Sequence, residues 1–405
     1  MSEPLLVIGN GMATARFVDE LATRALGRHA VAVIGEEPRL AYNRVLLSSV
    51  LAGAVPVSEL ELKPPKWWTD RGVTLLYGHR AVSIDHDARR VRLAAGATLP
   101  YAHLVLATGS KPIRLTVPGN DLPGVLTFRD LGDVAQLQAA AVKGTSAIVI
   151  GGGLLGLEAA YGLARAGVKV GIVHLMDRLM ERQLDARSAA MLKQAIERQG
   201  VSVHLGAQTA AIRGDRRAEA VELADGQLLP ADLVVMAVGI RPNTELGASA
   251  GLNVNRGIVV DDGLQTSLAG IYAIGECAEH RGTCYGLVEP AYEQAQALAR
   301  RLAGQPVARY AGSVLATNLK VSGVHVFSAG DFLGSPGTND IVFADPGLGI
   351  YKKLVLDGDR LVGAVLYGDT TDGLWYLDLI RSGTPVKGLR DSLVFGRALA
   401  ERTAA

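Results

Sequence analysis

Val149-Ile150-Gly151-Gly152-Gly153-Leu154-Leu155-Gly156 decides the fold class of this chain. An apolar run breaks into a glycine turn and a helical pattern follows. Gly151 permits the tight turn, Gly153 lets backbone approach a pyrophosphate, and Gly156 lets helix and strand pack closely. A helix starting here directs unpaired amides and its positive dipole end at an anion. A further strand, Val168–Val173, completes a βαβ unit, the form in which dinucleotides are bound. Glu158 sits two residues into the helix.

Working outward, the arrangement recurs near the start of the chain as Val7-Ile8-Gly9-Asn10-Gly11-Met12-Ala13-Thr14. Thr14 replaces the third glycine, which weakens the match. The following strand, His29–Gly35, ends at Glu36-Glu37, where a carboxylate would accept hydrogen bonds from ribose hydroxyls. A solvated loop is the alternative for these two acids. The internal unit has His174 where such an acid is expected, with Asp177 and Arg178 just beyond. Arg178 is able to accept a 2′-phosphate, so NADH against NADPH stays open, and a strand-end surface position is the alternative for His174. Two nucleotide folds in one chain imply hydride transfer between two bound carriers, a nicotinamide and a flavin.

Other strands end in the same way. Leu104–Ala107 runs into Thr108-Gly109, Leu233–Val238 into Gly239, and Ile271–Ile274 into Gly275-Glu276. The Pro/Gly-rich stretch Lys111–Gly124 reads as a crossover between domains. From about Ser313 apolar and polar residues alternate, as in Lys352–Leu356 and Arg360–Leu366, which predicts an antiparallel sheet and then a helix near Leu374–Ser382.

Composition narrows the function. A formal net charge of +1, with acids and bases interspersed, argues against nucleic acid and anionic membrane as partners. Ala147–Ala166 is apolar, but its five glycines with Glu158 and Arg165 fit a buried strand and helix better than a membrane span. The start Met1-Ser2-Glu3-Pro4 has no basic region, so no signal peptide is expected and the location is read as cytoplasmic. Two cysteines, Cys277 and Cys284, are too few for a disulfide framework or a four-cysteine iron–sulfur cluster. Cys277 reads as a small buried hydrophobe. The eight histidines show no ligand spacing such as H-x-x-x-H, and no metal is expected.

These motifs together resemble the two-dinucleotide-binding-domain flavoproteins, a family that includes ferredoxin and rubredoxin reductases, NADH oxidases and disulfide reductases. The glycine turns, Ala107-Thr108-Gly109 and Thr266–Glu276 carry the resemblance. Gly9–Met12, Tyr42–Val45, His174–Met176, Met180–Asp185, Cys284–Leu287, Tyr351–Leu354 and Leu366–Thr370 are similar to the flavoprotein portion of assimilatory nitrite reductase large subunits. They are equally similar to the electron-transfer subunits of assimilatory nitrate reductases. The resemblance implies an α/β chain with an FAD domain at 1–113 and 240–311, an NAD(P) domain at 114–239, and a smaller α+β domain at 312–405.

The resemblance also implies roles. Gly9, Gly11, Met12 and Ala13 would face the FAD pyrophosphate, and Glu36 or Glu37 the adenosine ribose. Arg44, Ser49, Val82, Ala107, Thr108, Gly109, Arg129, Gly275 and Leu287 would line the FAD site. Glu276 replaces the aspartate most relatives use to hold the ribitol and pyrophosphate. Gly151, Gly153, Leu154, Leu155, Gly156, Glu158, His174, Arg178 and Gly239 would lie against NADH or NADPH, with Glu158 near the nicotinamide. Glu289 and Tyr292 would shape acceptor access, with helix-start packing as the alternative. Arg44–Ser49 contains no cysteine, unlike the disulfide reductases, so electrons are expected to leave for an external redox protein. That acceptor is expected to be a nitrate or nitrite reductase subunit, with a small iron–sulfur carrier (rubredoxin or ferredoxin) feeding a monooxygenase as one alternative. Another is an NAD(P)H-sensing interaction protein that binds FAD. Lacking cysteines for iron–sulfur and sirohaem domains, the chain is not expected to reduce nitrite alone. The C-terminal sheet offers a surface for a homodimer, which no stretch specifies.

Overall fold

The computed structural model describes residues 2–306, 309–321 and 323–404, so the expected outer domain limits 1 and 405 lie outside the described residues. The chain divides into two compact units, one of residues 1–47, 55–112 and 240–313, the other of 48–54, 113–239 and 314–405.

The first unit is built on a parallel sheet. Its strands are Glu3–Ile8 (β1), His29–Gly35 (β2), Thr74–Tyr77 (β3), His103–Leu106 (β4) and Ile271–Ala273. From one edge the order is Ile271–Ala273, β4, β1, β2, β3, with every pairing parallel. Because the chain leaves β1 for β2 on one side and places β4 on the other, the strand order reverses at β1. Such a reversal opens a crevice beyond the carboxyl ends of the strands. Leu5, Leu6 and Val7 are buried, as a strand covered on both faces requires. Helix α1, Met12–Ala25, turns Thr14, Phe17, Val18 and Leu21 inward at helical spacing and packs against the helix Val288–Leu302. Phe17 is fully buried, a burial that contributes about 1.5–3 kcal/mol. A small antiparallel sheet, Ala81–Asp85 with Arg90–Leu93 and Thr98–Pro100, has a register shift between Ala81 and Ser83, so Val82 sits at an irregularity and is exposed.

The second unit repeats the plan. Val125–Thr127 (β5), Ser146–Ile150 (β6), Lys169–Val173 (β7), Ser202–His204 (β8) and Leu233–Met236 (β9) form a parallel sheet in the order β8-β7-β6-β9-β5. The apolar Ala147–Ala166 stretch is β6 followed by α2, Leu154–Arg165. Helix α3, Ala186–Glu197, is capped by Asp185, whose carboxylate accepts from the Ser188 amide at 3.0 Å.

The alternating C-terminal region forms an antiparallel sheet of Ala316–Val321 (β10), Val324–Gly330 (β11), Asn339–Asp345 (β12), Ile350–Asp357 (β13) and Arg360–Tyr367 (β14), ordered β10-β11-β14-β13-β12. Helix α4, Gly373–Ser382, closes at Gly383, whose φ of 61° is the left-handed conformation that glycine adopts without a Cβ clash. Successive residues of β13 face opposite sides, yet Lys352 and Lys353 are both buried. Each ammonium is paired, with Asp369 at 2.7 Å and Asp340 at 3.0 Å. The Tyr351 hydroxyl donates to Asp185 at 2.6 Å and the Tyr367 hydroxyl to the Met191 carbonyl at 3.2 Å, tying this sheet to α3 and its cap.

The stretch read as a crossover between domains, Lys111–Gly124, begins in a short strand. Ser110–Pro112 pairs antiparallel with Ile240–Pro242, and the prolines end both segments. Among the described residues, no helix is long and apolar enough to cross a membrane.

Candidate functional site

The first unit gathers its candidate residues at the carboxyl ends of β1, β2, β4 and Ile271–Ala273. Gly9 has φ +113°, and a Cβ there would lie 2.0 Å from the Ala107 carbonyl oxygen, so only glycine fits. Gly11 is the opposite case. It is the N-cap of α1 with extended backbone, and a Cβ there would meet nothing within 4 Å. No side chain among the described residues caps this helix start, and no acid occupies its first turn. Met12 and Ala13 therefore begin a helix whose amide-rich end faces open space, an arrangement suited to a phosphate. Thr14 is fully buried, and its hydroxyl donates to the Gly9 carbonyl at 2.7 Å. The substitution that weakened the sequence match is thus a brace for the turn.

Around this cradle the other strand ends are fixed by polar contacts. The Thr108 hydroxyl donates to the Asn243 carbonyl at 2.8 Å, and the Asn243 side chain returns a bond to the Thr108 carbonyl at 2.8 Å. The Asn243 amide donates to the Gly109 carbonyl at 2.9 Å. Gly275, with φ +78°, sits against Ala13, and its amide donates to the buried Gln294 side chain at 2.7 Å. Glu276 accepts from the Ser110 hydroxyl at 2.8 Å and lies beside Gly109. Leu287 is the N-cap of the helix Val288–Leu302. Farther along that helix, the Tyr292 ring lies under Arg16 with 5.6 Å to its centroid, and burial raises its phenol above its ordinary value.

The two acids after β2 differ. Glu37 accepts from the Tyr42 hydroxyl at 2.8 Å and pairs with Arg44, whose guanidinium lies 4.8 Å over the Tyr42 ring. Glu36 is exposed, 3.7 Å from Arg80. Glu37 is a fixed carboxylate and Glu36 a solvated one. Of the other residues expected near FAD, Ser49 and Arg129 belong to the second unit, Arg129 preceding Asp130, the N-cap of the helix Leu131–Ala140.

In the second unit a Cβ on Gly151, φ +120°, would lie 2.2 Å from the Ala237 carbonyl oxygen, while at Gly153, N-cap of α2, it would meet nothing within 4 Å. No side chain among the described residues caps α2 either. At Gly156 a Cβ would come within 1.9 Å of the Gly151 carbonyl oxygen, so here the helix passes too close for any side chain. Leu154 and Leu155 form the first turn. The helix starts earlier than the sequence reading placed it, which puts Glu158 in the second turn, where burial pushes its carboxyl up to about 7. Gly239, φ +117°, accepts from the Ile113 amide at 3.0 Å. Arg178 is paired with Asp177 at 3.1 Å.

His174 is not a surface residue. It is buried, its Nδ1 accepts from the Gly152 amide at 3.0 Å, and its Nε2 lies 3.1 Å from Glu181. It holds the glycine turn from beneath, with Nε2–H directed at the carboxylate. The signal available in the sequence was Glu181, which gives a strand-end histidine a partner.

Each turn therefore fits a dinucleotide: one glycine locked against a neighbouring strand, one glycine open at a helix start, and a side chain bracing the loop. Residues 3–300 match the family described as pyridine nucleotide-disulphide oxidoreductase. The chain belongs to that family. Residues 316–384 match the rubredoxin NAD+ reductase C-terminal domain. The chain is 48% identical over 369 residues to a nitrite reductase [NAD(P)H] of Bacillus subtilis (strain 168), covering 91% of this chain and 46% of that protein. It is 43% identical over 376 residues to the assimilatory nitrate reductase electron transfer subunit of the same organism, covering 92% and 48%. The chain thus spans about half the length of these relatives. Among solved structures, a ferredoxin reductase for the CYP199A2 system from Rhodopseudomonas palustris superposes with TM-score 0.88 at 28% identity over 100% of both chains. As a member of this family the chain is an oxidoreductase that uses FAD and a pyridine nucleotide.

Proposed function

We propose that the first unit holds FAD and the second NADH or NADPH, and that the chain delivers their electrons to a partner redox protein in the cytoplasm, a nitrate or nitrite reductase subunit. When bound, the two cofactors supply hydride transfer from nicotinamide to flavin, and the flavin releases electrons singly or in pairs. The observation that carries the reading is the repeated glycine turn, present once in each unit with an open helix start at Gly11 and at Gly153.

The chain's own residues have separable tasks. The first turns of α1 and α2 bind diphosphate through backbone amides and the helix dipole. Glu36 accepts ribose hydrogen bonds, because Glu37 is engaged by Tyr42 and Arg44. Glu276, oriented by Ser110 and lying beside Gly109, would hold polar groups of FAD. Glu158 would lie near the nicotinamide, its buried carboxyl raised to about 7 in the nucleotide-free chain. Neither cysteine is placed as an electron relay in the first unit: the Cys277 thiol is buried against the Leu106 and Ile274 carbonyls at 3.4 Å, and Cys284 neighbours Glu279.

The similarity to nitrite and nitrate reductase proteins favours that class of acceptor. The end-to-end match to a ferredoxin reductase favours a second reading, delivery to a small iron–sulfur carrier. Steady-state oxidation of NADH by the FAD-loaded chain, with a nitrate reductase catalytic subunit or a ferredoxin as acceptor, separates them. Turnover with the nitrate reductase subunit supports the first reading, and turnover confined to ferredoxin replaces it with the second. Turnover with neither protein acceptor removes both.

A further inference from the structure

Three residues far apart in the chain, Glu3, His29 and His103, meet at the amino-terminal ends of β1, β2 and β4. Glu3 lies beside His29 in the β1–β2 ladder, and Leu5 lies beside His103 in the β1–β4 ladder. Gly9, Gly35 and Ala107 follow or end these same strands at the opposite edge of the sheet, so the cluster stands apart from the dinucleotide cradle. One ligand atom from each residue lies within 4.8 Å of the other two. Glu3 Oε2 is 3.4 Å from His103 Nε2 and 4.0 Å from His29 Nδ1.

His29 supplies an independent observation. Its side chain is 2% exposed, and Nε2 lies 3.0 Å from the Leu302 carbonyl oxygen. A carbonyl only accepts, so Nε2 carries a proton, and in the neutral imidazole Nδ1 keeps its lone pair on the side of Glu3. That lone pair finds no hydrogen-bond partner among the described residues. Burying an acceptor without a donor is unfavourable, whereas a cation satisfies it. An imidazole held by donation to a backbone carbonyl is also the way proteins orient metal-binding histidines. The His103 ring is set by packing, edge-on to His29 at 5.6 Å and tilted against Tyr272 at 6.1 Å. Glu3 is 59% exposed, which leaves an approach from solvent.

We propose that Glu3, His29 and His103 form a binding site for a zinc-class divalent cation, with water in the fourth position. Two neutral imidazoles and one carboxylate suit Zn²⁺ in charge and softness. Tetrahedral ligands at bond lengths of about 2.0–2.1 Å stand about 3.3 Å apart. The Glu3–His103 pair already has that spacing, and binding would draw Glu3 and the His103 ring toward His29 Nδ1 to close the remaining distances. The ion would fasten together the starts of three neighbouring strands and, through His29, the end of the helix Val288–Leu302. Residue spacing does not reveal this cluster, because its ligands come from three strands and not from one helix with i, i+4 spacing.

The test uses the full FAD-loaded chain, stripped of metal with a chelator and titrated with Zn²⁺ by calorimetry, with thermal unfolding in parallel. One Zn²⁺ equivalent per chain is expected, with a rise in Tm of several degrees on binding. Glu3→Gln alters an exposed residue and keeps the fold; it and His103→Gln should each weaken Zn²⁺ binding more than about tenfold and remove the rise in Tm. Flavin reduction by NADH should be unchanged in both variants. Equal zinc binding by wild type and both variants would overturn the proposal by placing the ion elsewhere, and absence of Zn²⁺ binding to the wild type would overturn it outright.

Discussion

The two glycine turns perform one task with different residues. In both, the first glycine is locked by a strand-end carbonyl and the second stands open at a helix start. They part at the third position, where both deal with the carbonyl of the first glycine. In the second unit the helix runs so close that a Cβ on Gly156 would overlap the Gly151 oxygen. In the first unit Thr14 fits because its hydroxyl donates to the Gly9 oxygen. The third position therefore governs how helix and strand pack, while the second governs what ligand fits. The loops are also braced differently, by Thr14 on a carbonyl and by His174 on the Gly152 amide.

The largest effect expected from this comparison is at the locked glycines. Gly9→Ala and Gly151→Ala each force a Cβ into a carbonyl at positive φ and should destabilise the affected unit by at least about 3 kcal/mol, read from denaturant midpoints. Gly156→Ala should approach the same loss, whereas Thr14→Gly should not; equal losses at 14 and 156 would break the comparison.

Glu158 gives the next effect, and it depends on pH. Its carboxyl rises from 4.5 to about 7 in the folded chain, so the folded state favours the protonated form. The resulting destabilisation is absent below about pH 4.5, grows between the two values and is complete above about pH 7. Glu158→Gln should therefore match the wild type near pH 4 and exceed it by at most about 3 kcal/mol at pH 8, in unfolding of the nucleotide-free protein. A difference independent of pH would contradict the buried-carboxyl account.

The braces give smaller effects. Thr14→Val leaves the Gly9 carbonyl without its donor, and His174→Phe leaves the Gly152 amide without its acceptor. Each should cost about 1–3 kcal/mol, with FAD affinity falling in the first variant and NAD(P)H affinity in the second. Loss of the same cofactor in both would erase the division between the turns.

Much of the scaffold was legible because its signals are local. Apolar runs that break into glycine mark the strand ends of both parallel sheets, whereas the C-terminal strand over Lys352–Leu356, read as alternating, is buried residue after residue. The pairing of its lysines was not legible, since nothing local places Asp369 and Asp340 beside Lys352 and Lys353. His174 was ambiguous for the same reason, its burial depending on a turn 22 residues earlier. The strand Ser110–Pro112 is too short and proline-bounded to carry a period. Which of Glu36 and Glu37 faces solvent was settled only by Tyr42 and Arg44 folding back onto Glu37.

The most direct test of the central claim, one cofactor for each turn, is anaerobic rapid mixing of FAD-reconstituted protein with NADH and NADPH, following flavin absorbance in wild type, Gly11→Val and Gly153→Val. Both positions have ordinary backbone angles and open space, so both variants should fold. The account predicts fast bleaching in the wild type, no retained flavin in Gly11→Val, and flavin retained but bleached at least about tenfold more slowly in Gly153→Val. Flavin retained by Gly11→Val, or wild-type bleaching in Gly153→Val, would contradict it.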